Sequence, residues 1–283
     1  MSLLGAAEIR ALAAQLELKP AKSLGQNFVI DANICRKIVK LSGVSSNDVV
    51  LEIGPGLGSL TLALLDLAAG VIAIEIDSRL AYQLPLTAEK HSTNFHNLTV
   101  INEDALQVSK LSQSPTVLVA NLPYNISVPV LLHFLEKFPT IQTGIVMVQA
   151  EVADRLVAVP GTKDYGIPSV KVAWWVKMSQ AGSVSRTVFW PAPNVDSKLV
   201  AFVRHNPLGD EYLRLQVFAA IDAAFSQRRK MLRSALKNWL GSSEFAEKVL
   251  NKAGIDSTLR GEALVIEDYC SIGRAFGEIG LRS

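Results

Sequence analysis

Short apolar runs alternate with helix-periodic stretches over roughly the first two thirds of the chain, and helical periodicity alone continues to its end. Val49-Val50-Leu51, Val71-Ile72-Ala73-Ile74, Leu98 to Ile101, Val117 to Ala120 and Ile145 to Val148 each predict a buried strand. Leu60 to Leu67, a segment from about Ser78, and one running on from the fifth strand through Leu156 predict helices between and after them. Such alternation predicts an α/β fold with a largely parallel sheet. Two later strands, Val170 to Val176 and Leu199 to Val203, are expected to pair antiparallel, and Pro160 to Gly166 reads as a mobile loop over the site. The turn-rich Asn206-Pro207-Leu208-Gly209-Asp210 then divides a domain 1–205 from a smaller all-α domain 206–283. In the latter, Leu213, Val217, Ile221 and Phe225 recur at helical spacing, and Leu232, Leu236, Trp239 and Leu240 continue the stripe. A helix from Glu244 to Ala253 stops at Gly254, and another runs from Glu267 towards Gly277.

The loops that close these strands carry the candidate chemistry. Directly after the first comes Glu52-Ile53-Gly54-Pro55-Gly56-Leu57-Gly58, spaced G-x-G-x-G rather than the G-x-G-x-x-G of dinucleotide sites. With no diphosphate to cradle, Gly54 and Gly56 would let backbone approach the methionyl part of S-adenosylmethionine. The next strand delivers Glu75 about 20 residues on, where an acid bonds ribose hydroxyls in Rossmann-like units. The third ends near Asp104, which either accepts from the cofactor's adenine amine or caps the turn at Ala105-Leu106. Asp77 reads as the cap of the helix at Ser78.

Asn121-Leu122-Pro123-Tyr124 closes the fourth run, at the carboxyl end of a buried strand. An exocyclic adenine amine is a poor nucleophile because its lone pair is delocalised into the ring, and acceptors that favour a tetrahedral nitrogen correct this. The Asn121 side-chain oxygen and the Leu122 carbonyl can supply two such acceptors. Pro123 fixes the backbone, and Tyr124 can stack on a base flipped out of its helix. Alone, the tetrapeptide is more often a strand followed by a turn; the glycine loop and Glu75 favour the chemical reading.

Four blocks together resemble the ribosomal RNA adenine N6,N6-dimethyltransferases that confer kasugamycin sensitivity: Ser23 to Phe28 (SLGQNF), Leu51 to Thr61 (LEIGPGLGSLT), Asn121 to Ser127 (NLPYNIS) and Phe189 to Ser197 (FWPAPNVDS). The resemblance implies a Rossmann-like S-adenosylmethionine-dependent methyltransferase acting on two adjacent adenosines in the 3′-terminal hairpin of small-subunit rRNA. It implies that Asn27 and Val29 flank the cofactor, with Gly54, Glu75, Asp104 and Asn121 completing the pocket. Tyr124, with Phe189 or Phe28, would sandwich the target adenine. Val29 stands where the family usually has leucine, Glu103 replaces a glycine, and Ala150 a common lysine. The sister family that dimethylates large-subunit rRNA shares the glycine loop and the N-x-P-Y-N-I-S block, while Leu24-Gly25 and FWPAPNVDS favour the small-subunit group. A ribosome-assembly or transcription factor that kept the fold and lost catalysis is a further alternative, against which the intact site residues argue.

Composition refines the partner more than the fold. With 28 basic and 26 acidic residues the net charge is +2, so RNA contact must come from local clusters. One cluster is Lys19, Lys22, Arg36, Lys37 and Lys40; the other is Arg228, Arg229, Lys230, Arg233 and Lys237, of which Arg229, Arg233 and Lys237 would share one helix face and track phosphates. Cys35 and Cys270 read as buried hydrophobes, and His91, His96, His133 and His205 show no metal-ligand spacing, so no metal is expected. Glu8 and Arg10 interrupt the early apolar residues, and no stretch reaches the ~18 apolar residues of a membrane span. A cytoplasmic monomer acting on small-subunit rRNA or a partly assembled subunit is expected.

Overall fold

The strand order of the main sheet opens a crevice where the sequence predicts the glycine loop. The computed structural model describes residues 3–18 and 26–280; Lys19, Lys22 and Ser23-Leu24-Gly25 lie outside the described residues. Helix α1 (Ala6–Gln15), strand β1 (Phe28–Val29) and helix α2 (Ala32–Ser42) come first. One half of the sheet follows as β2 (Val49–Ile53), α3 (Ser59–Leu65), β3 (Gly70–Glu75), α4 (Ser78–His91) and β4 (Leu98–Asn102). The other half begins with β5 (Val117–Asn121), α5 (Ser127–Lys137) and β6 (Thr143–Gln149). Helices α6 (Ala150–Val157) and α7 (Ile167–Val172) precede strands β7 (Val176–Val184), β8 (Phe189–Trp190) and β9 (Ser197–Arg204). The remainder is helical: α8 (Glu211–Ser226), α9 (Leu232–Ala235), α10 (Lys237–Leu240), α11 (Ser243–Ala253) and α12 (Ile266–Gly280).

The seven-stranded sheet has the order β4-β3-β2-β5-β6-β9-β7, with β1 and β8 forming a separate antiparallel pair. Strands β2 to β6 are parallel to their neighbours, and β9 runs antiparallel to β6. The chain builds outward from β2 through β3 and β4, then returns to lay β5 on the other side of β2, which makes the β2/β5 junction the switch point where open α/β sheets bind ligands. Pairing between these two strands is confined to Val50↔Val117 and Leu51↔Leu118, short of the carboxyl ends at Ile53 and Asn121. Strand β3 is buried at every position, as an apolar run covered on both faces requires.

The chain divides into two units, Met1–Ala153 with Ser179–Arg204, and Asp154–Met178 with His205–Ser283. The break near residue 205 coincides with one of these crossings, but residues 154–178 group with the C-terminal helices. The physical reason lies in the bonds made by the segment expected to be a mobile loop. The buried Tyr165 donates its hydroxyl to the Leu264 carbonyl (2.7 Å), the Gly161 N–H donates to the Glu262 carbonyl (2.9 Å), and Arg228 donates to the carbonyls of Thr162 and Lys163. Pro160 to Gly166 is therefore anchored within the second unit.

Two other expectations are corrected. Val170 to Val172 end a short helix, and the strand starts only at Val176. The β-branched valines suggest a strand, but Pro168 in the first turn and the Ser169 hydroxyl accepting from the Gly166 N–H (3.0 Å) start a helix that buries Val170 and Val172. The single basic helix is in fact interrupted: α8 stops at Ser226, Met231 is extended, and Arg233 and Lys237 sit on separate short helices. The Leu232 and Arg233 N–H groups donate instead to the carbonyls of Leu259 (2.7 Å) and Ser257 (3.2 Å), a tertiary pairing that overrides helical propensity.

Candidate active site

The first unit holds a cleft of about 890 Å³, open to solvent, at the carboxyl ends of β2, β3 and β5. Gly54 and Gly56 both adopt positive φ (+68° and +60°), which turns the loop tightly after β2. A Cβ on Gly54 would come within 3.6 Å of Pro123, so the glycine loop and the Asn-Leu-Pro-Tyr segment abut. A Cβ on Gly56 would lie 3.0 Å from the Phe28 ring.

Glu75, buried at the end of β3, binds the loop itself: one carboxylate oxygen accepts from the Gly56 N–H (3.1 Å) and the other from the Asp77 N–H (3.0 Å). Burial pushes its carboxyl above the ordinary range, partly offset by those backbone donors. Sequence reading assigned Glu75 only to a ligand and missed its hold on the glycine loop. Asp77 caps α4 as expected, accepting from the Arg79 N–H (3.0 Å), and also accepts from the Gln26 side chain (3.2 Å). Asp104 lines the cleft, and one of its oxygens accepts from the Leu106 N–H (2.9 Å), as the capping reading expects.

The segment Gln26 to Val29 forms another wall. It is held from several sides, with the Asn121 side-chain amide donating to the Asn27 carbonyl (3.4 Å) and the Ser59 hydroxyl to the Val29 carbonyl (2.7 Å). Strand pairing sets Phe28 opposite Trp190 and Val29 opposite Phe189. Phe189 is 3% exposed and packs into the core, whereas Trp190 is half-buried and stacks on Phe28, with centroids 6.4 Å apart. The structure thus joins two blocks far apart in sequence.

Asn121, Leu122 and Pro123 complete the cleft. The Leu122 N–H is anchored to the Met147 carbonyl (3.1 Å), and Asn121 Oδ1 is buried with no hydrogen-bond partner among the described residues. Tyr124, half-buried beside them, shares a 2.9 Å hydrogen bond with the Ser197 hydroxyl, a contact with no signal in local spacing. Glu52 also lines the cleft: desolvation, reinforced by the Glu75 charge, pushes its carboxyl up to about 8. The nearby Thr61 hydroxyl opposes this, yet neither Glu52 Oε2 nor Thr61 Oγ1 completes a hydrogen bond. Among the described residues the lining includes the acids Glu52, Glu75, Glu103 and Asp104 and no lysine or arginine. With Glu52 protonated below about pH 8, the charge of this wall comes from the remaining acids; it repels a diphosphate and attracts a cation.

Arg229, Lys230, Arg233 and Lys237 are all exposed in the second unit, while Arg228 is bound to Glu262 (2.7 Å). Arg36, Lys37 and Lys40 are exposed on α2 in the first. Among the described residues, no helix is long and apolar enough to cross a membrane, and no cluster of three or more His, Cys, Asp or Glu side chains could hold a metal.

Residues 18–277 match the model of the ribosomal RNA adenine dimethylase family. The chain belongs to that family. It is 54% identical over 277 residues to the ribosomal RNA small subunit methyltransferase A of Paenarthrobacter aurescens (strain TC1), covering 96% of this chain and 94% of the relative. Among solved structures it resembles a dimethyladenosine transferase from Plasmodium falciparum, with a TM-score of 0.74 and 26% identity over 88% of this chain and 97% of that one. The 23S rRNA methyltransferase ErmE gives a TM-score of 0.65 and 26% identity over 89% of this chain and 100% of its own. The Rossmann-like fold and the family expected from the sequence both stand.

Proposed function

We propose that this family member dimethylates N6 of two adjacent adenosines in the 3′-terminal hairpin of small-subunit rRNA, using S-adenosylmethionine. The identity of 54% to a small-subunit enzyme against 26% to ErmE favours the small over the large subunit. The observation that carries the chemistry is the buried, unpartnered Asn121 Oδ1 at the rim of an acidic cleft.

The residues present fit the cofactor. Glycines without side chains leave room beside Phe28, the acidic lining suits a cationic ligand, and Glu75 and Asp104 offer acceptors for a nucleoside. Asn27 and Val29 would close the pocket and Gly54 and Gly56 would floor it. When bound, S-adenosylmethionine would supply an electrophilic methyl on a sulfonium, whose S–CH3 bond breaks on transfer to leave a neutral thioether. Tyr124 supports the flipped base by stacking, worth roughly 1–3 kcal/mol. Asn121 Oδ1 and the Leu122 carbonyl accept from the target amine, drawing its nitrogen towards tetrahedral geometry so that its lone pair can form the new C–N bond. The nitrogen then releases a proton to solvent, which requires no dedicated base. Phe189 supports this arrangement from the core through Val29. Arg229, Lys230, Arg233 and Lys237 hold RNA phosphates, while Arg228 serves the second unit's own packing. In this reading the protein works as a monomer in the cytoplasm, on rRNA or a partly assembled subunit.

Mass spectrometry of rRNA nucleosides from cells with and without the protein tests this reading directly. Small-subunit N6,N6-dimethyladenosine should disappear without it; unchanged dimethyladenosine would overturn the proposal. Asn121→Ala should bind RNA but lose transfer by roughly 10²-fold or more, the scale of losing one preorganised polar group.

A further inference from the structure

Ser197 is fully buried at the first position of β9, paired with Gln149 at the end of the β6/β9 ladder. Its backbone is fixed by the sheet. Its hydroxyl meets the Tyr124 phenol at 2.9 Å, bridging from the loop after β5 to a strand two places away in the sheet. The tyrosine hydroxyl lies on the axis of the second side-chain torsion, so a hydrogen bond there fixes the first torsion and the place of the ring, not the turn of its plane. The position of the ring therefore depends on a residue outside the Asn-Leu-Pro-Tyr motif. This matters unequally for two successive transfers. An unmethylated amine has two hydrogens for Asn121 Oδ1 and the Leu122 carbonyl, but after one methyl is attached only one hydrogen remains. The monomethylated base loses one of its two holds and depends more on the ring beneath it.

We propose that Ser197 is a positioning residue for the second methyl transfer, holding the Tyr124 ring in the one place from which it presents a monomethylated adenine correctly. This rests on the reading that Tyr124 stacks on the target base. A small displacement of the reacting nitrogen lowers turnover rather than RNA binding, because near-attack geometry is what suffers.

The test is a double-mutant cycle on the full-length protein with small subunits lacking the modification, following mono- and dimethyladenosine by mass spectrometry. Ser197→Ala should lower kcat for the second transfer by about tenfold and for the first by about threefold or less, the range of one hydrogen bond. RNA KM, cofactor affinity and melting temperature should stay near parental values. Tyr124→Phe, which removes the other end of the bond and leaves Ser197 intact, should reproduce this accumulation of monomethyladenosine. The double variant should be no worse than either single one. Equal mono- to dimethyladenosine ratios in parent and Ser197→Ala, or losses that multiply in the double variant, overturn the proposal. Parental rates in Tyr124→Ala would instead sink the stacking reading beneath it.

Discussion

Glu52 Oε2, Thr61 Oγ1 and Asn121 Oδ1 are buried without hydrogen-bond partners among the described residues. Leaving such an oxygen unpaired costs about 1–3 kcal/mol, a cost that the proposed pairing of Asn121 with a substrate amine would offset. Glu52 has a different consequence. Its carboxyl is pushed up to about 8 by burial, so the folded protein keeps a proton that the unfolded chain gives up at ordinary carboxyl values. Stability from this group is full at low pH and is lost as pH rises towards 8. Glu52→Gln, neutral at any pH, should therefore show a smaller drop in melting temperature than the parent between about pH 5 and about pH 8. Parallel melting curves would mean that Glu52 is already ionised in the folded state. That Gly54, Glu75, Asp104 and Asn121 line one cleft was legible from their places after successive strands. The Tyr124–Ser197 and Glu75–Gly56 bonds were not, because each joins residues that only the finished sheet brings together.

Among the elements, strands β2, β3, β5 and β6 were legible because a strand buried on both faces must be apolar throughout, and the half-buried edge strand β4 through its Leu98 to Ile101 run. Helix α7 and the break after α8 were not, since periodicity records which side chains are buried and not how the backbone connects them. Leu232, Leu236 and Leu240 are buried on two short helices much as they would be on one long one. The glycine loop is an element with little tolerance. At Gly56 an alanine meets both a left-handed backbone at φ +60° and the Phe28 ring at 3.0 Å. Gly56→Ala should weaken cofactor binding by about tenfold or more through roughly 1 kcal/mol of backbone strain and the displaced aromatic wall. Titration calorimetry with S-adenosylmethionine checks this; parental affinity would show that the loop can shift at little cost.

For the whole molecule, the proposed RNA binding has to rest on local charge, since the net charge is only +2. Substituting Arg229, Arg233 and Lys237 together by alanine should leave cofactor affinity unchanged and flatten the salt dependence of RNA binding by ~0.7–0.9 for each phosphate no longer neutralised. An identical salt slope in variant and parent would make these side chains bystanders. The double crossing between the two units carries a consequence for how such proteins can exchange parts. Tyr165 and Trp174 are buried in the second unit yet encoded before β7, while Leu264 and Phe218, their partners, come after residue 205. Recombination at a single junction near residue 205 would combine one parent's Tyr165 and Trp174 with another's helices. Inheriting the second unit intact takes two junctions, near residues 154 and 178, besides the one at 205, so relatives can trade it only as a matched pair of segments.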